Sequence, residues 1–290
     1  MNKQKIKSHF GLDFYHKMLD ILDKYEKSWK LSEYQQIDYY SESCLFYCVS
    51  AMYGQCVLKI GENLREIEKE YCFLSECEGK SFCRVYHSDL ENGVLLLNCI
   101  TPGTQLRDET NLDKRLDVFC ELFEGLHTTP ANKTIYPTYM EWVSRITKYM
   151  QTRKDYPELF HKMVAAKQIC LELCKKYPGQ MLLHGDLHHD NILLGEDNRY
   201  YIIDPHGVIG DVVFDIPRFI MNEFEDGIDG DFPKRYAYIT HTLAERLKIP
   251  EYDIRRLTYV EMCLGNCWMV EDHQEPTMED VLFTEMMMTR

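Results

Sequence analysis

The segment that decides the fold reads His184-Gly185-Asp186-Leu187-His188-His189-Asp190-Asn191. It fits the pattern His-x-Asp-x-x-x-x-Asn, and a further aspartate, Asp204, follows thirteen residues after Asn191. With ordinary residue frequencies, such a pattern arises by chance in a chain of this length with a probability on the order of a few per cent. The surrounding sequence must therefore support any function inferred from it.

Local patterns place these residues on a loop and a hairpin. The apolar run Gln180 to Leu183 leads into the loop. Two strand-like runs follow, Asn191 to Leu194 and Tyr200 to Ile203, with the turn residues Gly195 to Asn198 between them. The sequence predicts a loop, a hairpin and Asp204 at the end of the second strand.

The chemistry of these residue types indicates phosphoryl transfer. In protein kinases, the aspartate of this pattern accepts the proton of the substrate hydroxyl, and the asparagine and a later aspartate hold Mg²⁺. Asp186 is therefore the candidate catalytic base. Asn191 and Asp204 are the candidate metal ligands.

Such chemistry also needs a cation for the nucleotide phosphates, and Lys59 is the candidate. It lies in the apolar run Cys56-Val57-Leu58-Lys59-Ile60, which follows the strand-like run Cys44 to Ser50 across the turn Ala51 to Gln55. The two runs are expected to pair as a hairpin, with the phosphates beneath it.

A helix that carries a partner for this lysine is expected next, over Glu62 to Glu76, because its apolar residues recur at helical spacing. Glu70 is the first choice as the lysine partner. Glu66 lies one turn earlier on the same face and is nearly as good a candidate, and the sequence alone does not separate the two. Each could instead be an ordinary solvated helix charge.

A lobe boundary is expected near residue 98. Asn92-Gly93 is a hairpin turn signal, Val94 to Ile100 is a buried strand, and Thr101-Pro102-Gly103 ends it. Asn98, Cys99 and Ile100 are the expected adenine contacts through their backbone groups, although an ordinary linker would look the same. The predicted lobes are residues 1–98, which bind nucleotide, and 99–290, with a hinge at about 98–104.

These residues resemble the aminoglycoside phosphotransferase family, in particular its streptomycin 6-phosphotransferase and hydroxyurea kinase branch. Two stretches carry the resemblance, Leu183 to Leu193 and Ile203 to Asp211, and Leu95 to Thr104 is similar to the hinge of that branch. The likeness covers Leu182 to Phe219 and, less closely, Cys56 to Leu106.

The resemblance implies an α+β, two-lobed protein-kinase-like fold with a small antiparallel-sheet N-lobe and a large, mostly helical C-lobe. It implies transfer of the γ-phosphoryl group of ATP, with Mg²⁺, to a small-molecule hydroxyl. It gives Asp186 as the base, Asn191 and Asp204 as Mg²⁺ ligands and Lys59 as the phosphate lysine, while Asp211 and Asp215 brace the loop. The chain departs from the pattern at His206. It also has Ser41-Glu42-Ser43 where a glycine-rich loop would stand.

Composition sets limits on partners and location. No apolar run approaches the roughly 20 residues that span a bilayer, and the polar start at Met1 to Lys5 lacks a signal-peptide core, so a cytoplasmic protein without a membrane partner is expected. The net charge of −14 disfavours nucleic acid, whose backbone binds basic surfaces.

A small cationic substrate fits the charge better. Two acidic groups fall in the expected substrate lobe and could attract an aminoglycoside by screened Coulomb forces. They could equally be solvated loop charges. The acceptor stays open between streptomycin-like aminocyclitols, hydroxyurea and another small alcohol. The acidic residues are Glu223, Glu225, Asp226, Asp229, Asp231, Glu271, Asp272 and Glu275.

Three alternatives remain. Cys170 with Cys174 and Cys263 with Cys267 could form a zinc site if the two pairs met, although free thiols are the simpler reading. A two-metal phosphoesterase could use the same loop residues. A binding-only pseudokinase would keep the fold without turnover.

In the kinase interpretation, His184 orders the loop and His189 is expected to be exposed.

The remaining chain is expected to be mainly helical because apolar residues recur at helical spacing between turn signals. The predicted helices cover residues 13–29, 112–127, 139–152, 158–176, 232–247, 251–270 and 278–288.

Overall fold

A computed structural model describes residues 2–37, 43–225 and 227–289. Ser41, Glu42 and Asp226, which figure in the sequence predictions, lie outside these ranges. The described helices and strands follow in chain order: α1 (Lys3–Phe10), α2 (Leu12–Ser28), β1 (Leu31–Gln36), β2 (Ser43–Ser50), β3 (Gly54–Gly61), α3 (Leu64–Glu76), β4 (Val85–Asp89), β5 (Val94–Asn98), β6 (Pro102–Gln105), α4 (Leu112–Leu126), α5 (Tyr139–Thr152), α6 (Pro157–Lys176), β7 (Met181–Leu183), β8 (Ile192–Gly195), β9 (Tyr200–Ile202), β10 (Val208–Gly210), α7 (Ile216–Met221), α8 (Phe232–Leu247), α9 (Glu251–Glu271) and α10 (Met278–Met288).

The chain divides into two compact units. Unit 1 comprises Met1–Thr104 and Leu193–His206, and unit 2 comprises Gln105–Ile192 and Gly207–Arg290. This division differs from the continuous ranges 1–98 and 99–290 because β8 and β9 join β6 in a three-stranded sheet, and Ile202 forms a parallel bridge with Phe82. The assignment of the two predicted ranges to lobes stays a prediction.

Unit 1 is built on a five-stranded antiparallel sheet in the order β1-β2-β3-β5-β4. The predicted hairpin is present as β2 and β3, with Leu45 opposite Lys59. One face of the sheet is covered by α2, whose buried side chains include Met18 and Ile21, packed with Phe46 and Leu58 in one apolar core. This packing holds β3, the strand that carries the candidate lysine.

Unit 2 is mainly helical, and α9 is its central element. Helix α9 packs against α5, α6, α7, α8 and α10, and it buries residues on every side, including the polar Asp253, Glu261 and Asn266. Strands β7 and β10 form a two-stranded antiparallel sheet, in which Leu183 lies opposite Val208. Strand β7 ends where the His184–Asn191 segment begins.

The predicted helices are confirmed to within two residues at their ends. The sequence predictions did not include helices α1 and α7 or strands β1, β4, β6, β7 and β10. None of the helices in the described ranges is both long enough and apolar enough to cross a membrane.

Alanine substitutions at two glycines test the turns of the unit 1 sheet. Gly93 has φ +72°, and a Cβ there would lie 2.5 Å from the carbonyl oxygen of Gly61. Gly54 has φ +74° with open space around it. Gly54→Ala should cost about 1–2 kcal/mol of unfolding free energy from backbone strain alone. Gly93→Ala should cost clearly more, because it adds a steric overlap. Urea denaturation measures both, and equal losses would contradict the described turn.

Candidate active site

Lys59 lies between two carboxylates in unit 1. Its Nζ is 2.6 Å from Glu70 Oε2 and 2.5 Å from Asp204 Oδ1, and the residue is 7% exposed. Glu66 instead forms an ion pair with Lys69, at 2.6 Å. Of the two glutamates that the helical pattern left open, Glu70 is the one that contacts the lysine.

The charge of Lys59 is stabilised by its neighbours. Burial by itself would lower its pKa, but the carboxylates of Asp204 and Glu70 outweigh burial and raise the pKa above its usual value. Burial raises the pKa of Glu70, with Lys59 acting in the opposite direction. Lys59 therefore stays protonated at any physiological pH and presents a permanent cation.

Asp204 combines an unusual backbone with an accessible carboxylate. Its φ is +58°, in the left-handed region, just after β9. Its side chain is 32% exposed, whereas that of Glu70 is 6% exposed. Asp204 can reach a ligand while Glu70 remains inside the unit. Its oxygens are the hard donors that Mg²⁺ prefers, so this residue fits the predicted metal role.

The predicted adenine contacts lie at and after the end of β5. Asn98 donates its backbone N–H to the carbonyl of Arg84 at 2.9 Å, and its side-chain oxygen accepts from the Arg84 N–H. Its backbone donor is therefore already used within the sheet edge. Cys99 and Ile100 follow as half-buried residues outside the strand. Their predicted nucleotide role stays a prediction.

In unit 2, the buried carboxylate of Asp215 holds the start of the loop. Its Oδ2 accepts the N–H of His184 at 2.8 Å, and its Oδ1 accepts the N–H of Gly185 at 2.8 Å. The Nε2 atom of His127 lies 3.0 Å from Oδ2. Asp215 is 1% exposed, so these partners replace the water that its oxygens lost on folding. This contact fits the predicted bracing role of Asp215.

The loop also holds itself together. His184 is fully buried, and its Nδ1 accepts the backbone N–H of Asp186 at 3.1 Å. Asn191 Nδ2 donates to the carbonyl of Asp186 at 3.0 Å. Because the amide nitrogen of Asn191 faces the loop, its oxygen Oδ1 is the atom suited to a cation. The predicted base and one predicted metal ligand are thereby fixed relative to each other.

The carboxylate of Asp186 has a cationic neighbour that the sequence patterns missed. Arg218 Nε lies 3.4 Å from its Oδ1, and His188 Nε2 lies 3.4 Å from its Oδ2. Arg218 also lies 2.8 Å from Glu261 Oε1. No motif marks Arg218 or Glu261, because they come from α7 and α9 and meet the loop only through packing.

The expectation that His189 is exposed was wrong. It is 3% exposed rather than exposed, and its ring lies 4.3 Å from that of Phe219. Burial and the nearby Arg115 guanidinium lower its pKa to about 3, so it is neutral. The sequence could not show this, because a polar loop residue becomes buried only when helices pack over it.

The acidic residues of the predicted substrate lobe are largely paired. Glu223 is buried and accepts two hydrogen bonds from Arg115, at 3.1 and 2.9 Å. Glu225 pairs with Arg107, and Glu271 pairs with Arg145 at 2.6 Å. The electrostatic attraction of these carboxylates for a cationic ligand is therefore weaker than their number suggests.

The cysteines are free thiols. The Sγ atoms of Cys170 and Cys174, both on α6, are 4.0 Å apart. Cys263 and Cys267 are buried. Within the described ranges, no group of three or more His, Cys, Asp or Glu side chains is arranged to hold a metal ion.

A protein-family model described as "Aminoglycoside/hydroxyurea antibiotic resistance kinase" matches residues 28–273. The chain belongs to this family. The match contains the loop, both Asp204 and Asp215, and the Lys59–Glu70 pair. The family resemblance seen in the sequence is confirmed.

Curated relatives of this family member include two streptomycin kinases. Streptomycin 6-kinase of Streptomyces griseus is 26% identical over 67% of this chain and 64% of its own length. Streptomycin 3''-kinase of Klebsiella pneumoniae is 48% identical over 57% of this chain and 60% of its own length. The chain thus spans about three fifths of the length of these relatives.

Solved structures share the fold of this family member. A Plasmodium vivax ethanolamine kinase aligns over 98% of this chain and 92% of its own, with a TM-score of 0.66 and 14% identity. A thermostable mutant of the aminoglycoside phosphotransferase APH(4)-Ia, in a ternary complex with AMP-PNP and hygromycin B, aligns over 92% of this chain and 96% of its own, with a TM-score of 0.65 and 15% identity. The predicted protein-kinase-like α+β fold is confirmed.

Asp215→Asn tests how the loop is held. The asparagine side chain has the same size as that of aspartate, but it has one acceptor oxygen instead of two. One of the two loop N–H groups would therefore face an NH₂ group and lose its hydrogen bond. We expect a loss of about 2–4 kcal/mol of unfolding free energy, because each hydrogen bond to a buried charge contributes about 1.5–3 kcal/mol. Urea denaturation measures it. The control is Asp211→Asn, at a half-buried carboxylate that accepts from Gly179 and Val213, and an equal loss there would contradict the special role of Asp215.

Proposed function

We propose that this protein transfers the γ-phosphoryl group of ATP to a hydroxyl group of an aminoglycoside, with a streptomycin-like aminocyclitol as the first candidate. The observation that carries this proposal is the Lys59–Glu70–Asp204 cluster. A buried lysine held between a buried and a half-exposed carboxylate is suited to polyphosphate binding, because the accessible face of the cluster can exchange partners when a ligand arrives. Family membership and the names of the streptomycin kinase relatives support the same reaction.

In this proposal, Lys59 binds the nucleotide phosphates and Glu70 holds it in place. Asn191 and Asp204 would supply oxygen donors for Mg²⁺, and the bound ion would neutralise charge on the nucleotide phosphates. The backbone of Cys99 and Ile100 offers hydrogen bonds to the adenine. Residues 1–98 form the nucleotide lobe and 99–290 the catalytic and substrate lobe.

Asp186 is the proposed general base. Its carboxylate accepts the proton of the acceptor hydroxyl as that oxygen attacks the γ-phosphorus, and the contacts of Asp215, His184 and Asn191 keep it in position. The reaction needs little covalent help from the protein. Orientation and electrostatic stabilisation therefore supply most of the rate.

The proposed acceptor is a small cationic molecule. The chain carries a net charge of −14, so its long-range field attracts cations and repels nucleic acid. Hydroxyurea is the second candidate, because the matching family model names it. The expected cytoplasmic location and the lack of membrane or nucleic-acid partners belong to the same proposal.

Asp186→Asn tests the base assignment. We expect the fold and nucleotide affinity to be retained and kcat to fall about 10²- to 10⁴-fold, the usual contribution of a general base. ADP release is measured with ATP, Mg²⁺ and a panel of streptomycin, other aminoglycosides, hydroxyurea and simple sugars, with mass spectrometry of each product. Asp197→Asn, in the exposed β8–β9 turn, is the control. Retained turnover in Asp186→Asn would remove the base assignment, and phosphate release from esters without ATP would favour a phosphoesterase.

Glu70→Gln, compared with Glu66→Gln, tests the lysine partner. Glu70→Gln removes the buried charge that holds Lys59, so kcat/KM for ATP should fall about tenfold or more, a loss of about 1.4 kcal/mol in transition-state stabilisation. Glu66→Gln removes the ion pair with the buried Lys69, which costs stability, but Glu66 does not pair with Lys59, so kcat/KM of the folded variant should be nearly unchanged. Steady-state kinetics with varied ATP distinguish the two, and the reverse order would refute this pairing.

A further inference from the structure

Arg218 lies between the candidate base and a buried glutamate in unit 2. Its Nε is 2.8 Å from Glu261 Oε1 and 3.4 Å from Asp186 Oδ1. The side chain of Glu261 is 2% exposed and that of Asp186 is 21% exposed. One guanidinium edge thus faces two carboxylates, and it lies nearer to the one that solvent cannot reach.

Three helices fix the position of this guanidinium. Arg218 comes from α7, and Glu261 from α9 accepts a hydrogen bond from the hydroxyl of Tyr139 on α5. The guanidinium carbon lies 5.1 Å from the ring of Trp268, within the range of a cation–π contact. These contacts hold the guanidinium of Arg218 beside Asp186.

The charges are consistent with an ionised pair. Burial would lower the pKa of Arg218, but Glu261 and Asp186 raise it, so the guanidinium stays charged. Burial raises the pKa of Glu261, with Arg218 opposing this effect. Removing Arg218 would leave Glu261 as an uncompensated buried charge.

We propose that Arg218 is a positioning residue for phosphoryl transfer, which orients the carboxylate of Asp186 while Glu261 and Tyr139 hold its guanidinium. This inference rests on the proposed function. Arg218 does not touch the reacting atoms. It acts by restricting the base to the orientation in which it can accept a proton.

The unequal distances explain why Glu261 is needed. A full bidentate pair between Arg218 and Asp186 would hold the base as a fixed carboxylate and oppose proton acceptance. Because Glu261 takes the closer contact, Asp186 is oriented but only weakly paired. Loss of Glu261 should therefore harm turnover as well, by freeing Arg218 to pair with the base.

The kinetic test uses Arg218→Met, Arg218→Lys and Glu261→Gln. We expect kcat to fall about 10²-fold in Arg218→Met, the scale of a small misplacement of a catalytic group, with KM for ATP unchanged. Arg218→Lys keeps the charge and should recover part of kcat. Glu261→Gln should lower kcat with KM for ATP again unchanged.

Arg255→Met is the matched control. The Arg255 side chain is 14% exposed against 21% for Arg218, and it pairs with Glu251 and donates to the carbonyl of Met287, away from the loop. It should lower the urea midpoint less than Arg218→Met does, because its partner Glu251 is 29% exposed, and it should leave kcat unchanged. A purely structural role for Arg218 would give the folded Arg218→Met variant the same kcat as Arg255→Met, and that result would overturn the proposal.

A double-mutant cycle tests the contact without any activity. Urea midpoints are measured for Asp186→Asn, Arg218→Lys and the double variant. The two shifts should not add, because the residues interact. Additive shifts would overturn the inference. If the wild type phosphorylates no acceptor but the shifts are non-additive, the proposed function fails while the Arg218–Asp186 contact stands, so the two failures are distinguishable.

Discussion

The organisation of the His184–Asn191 loop depends on one buried carboxylate. Asp215 accepts the backbone N–H groups of His184 and Gly185 and contacts His127, and it is 1% exposed. A loop that leaves a strand inside a helical unit has donors that water cannot reach. A charged acceptor with two oxygens satisfies two of them at once, which fixes the backbone next to Asp186.

The two units use the same electrostatic device. In unit 1, Lys59 lies between the buried Glu70 and the more exposed Asp204. In unit 2, Arg218 lies between the buried Glu261 and the more exposed candidate base. In each case the inner carboxylate stabilises the cation inside the protein, where an unpaired charge would be very unfavourable. The outer carboxylate is thereby held in place and remains accessible to a ligand.

Local patterns predicted the long elements well and the short ones poorly. The predicted bounds of helices α5, α8 and α10 are the same as the observed bounds, because the apolar residues of these helices recur at helical spacing between capping and turn residues. Strand β4 and helix α7 were missed, since a short element owes its conformation to its neighbours rather than to its own pattern. The exposure expected for His189 was wrong for a related reason, because burial of a polar loop side chain is a property of packing.

The sequence by itself determined the order of the chemical groups and the long helices, because those depend on residue type, spacing and periodicity along the chain. Its resemblance to the family implied the type of fold. Only the tertiary structure decided between Glu66 and Glu70, since both lie on one helix face and only position relative to β3 separates them. It also revealed Arg218 and Glu261 beside Asp186. These residues are far apart in sequence, and helix packing is the physical cause of their proximity.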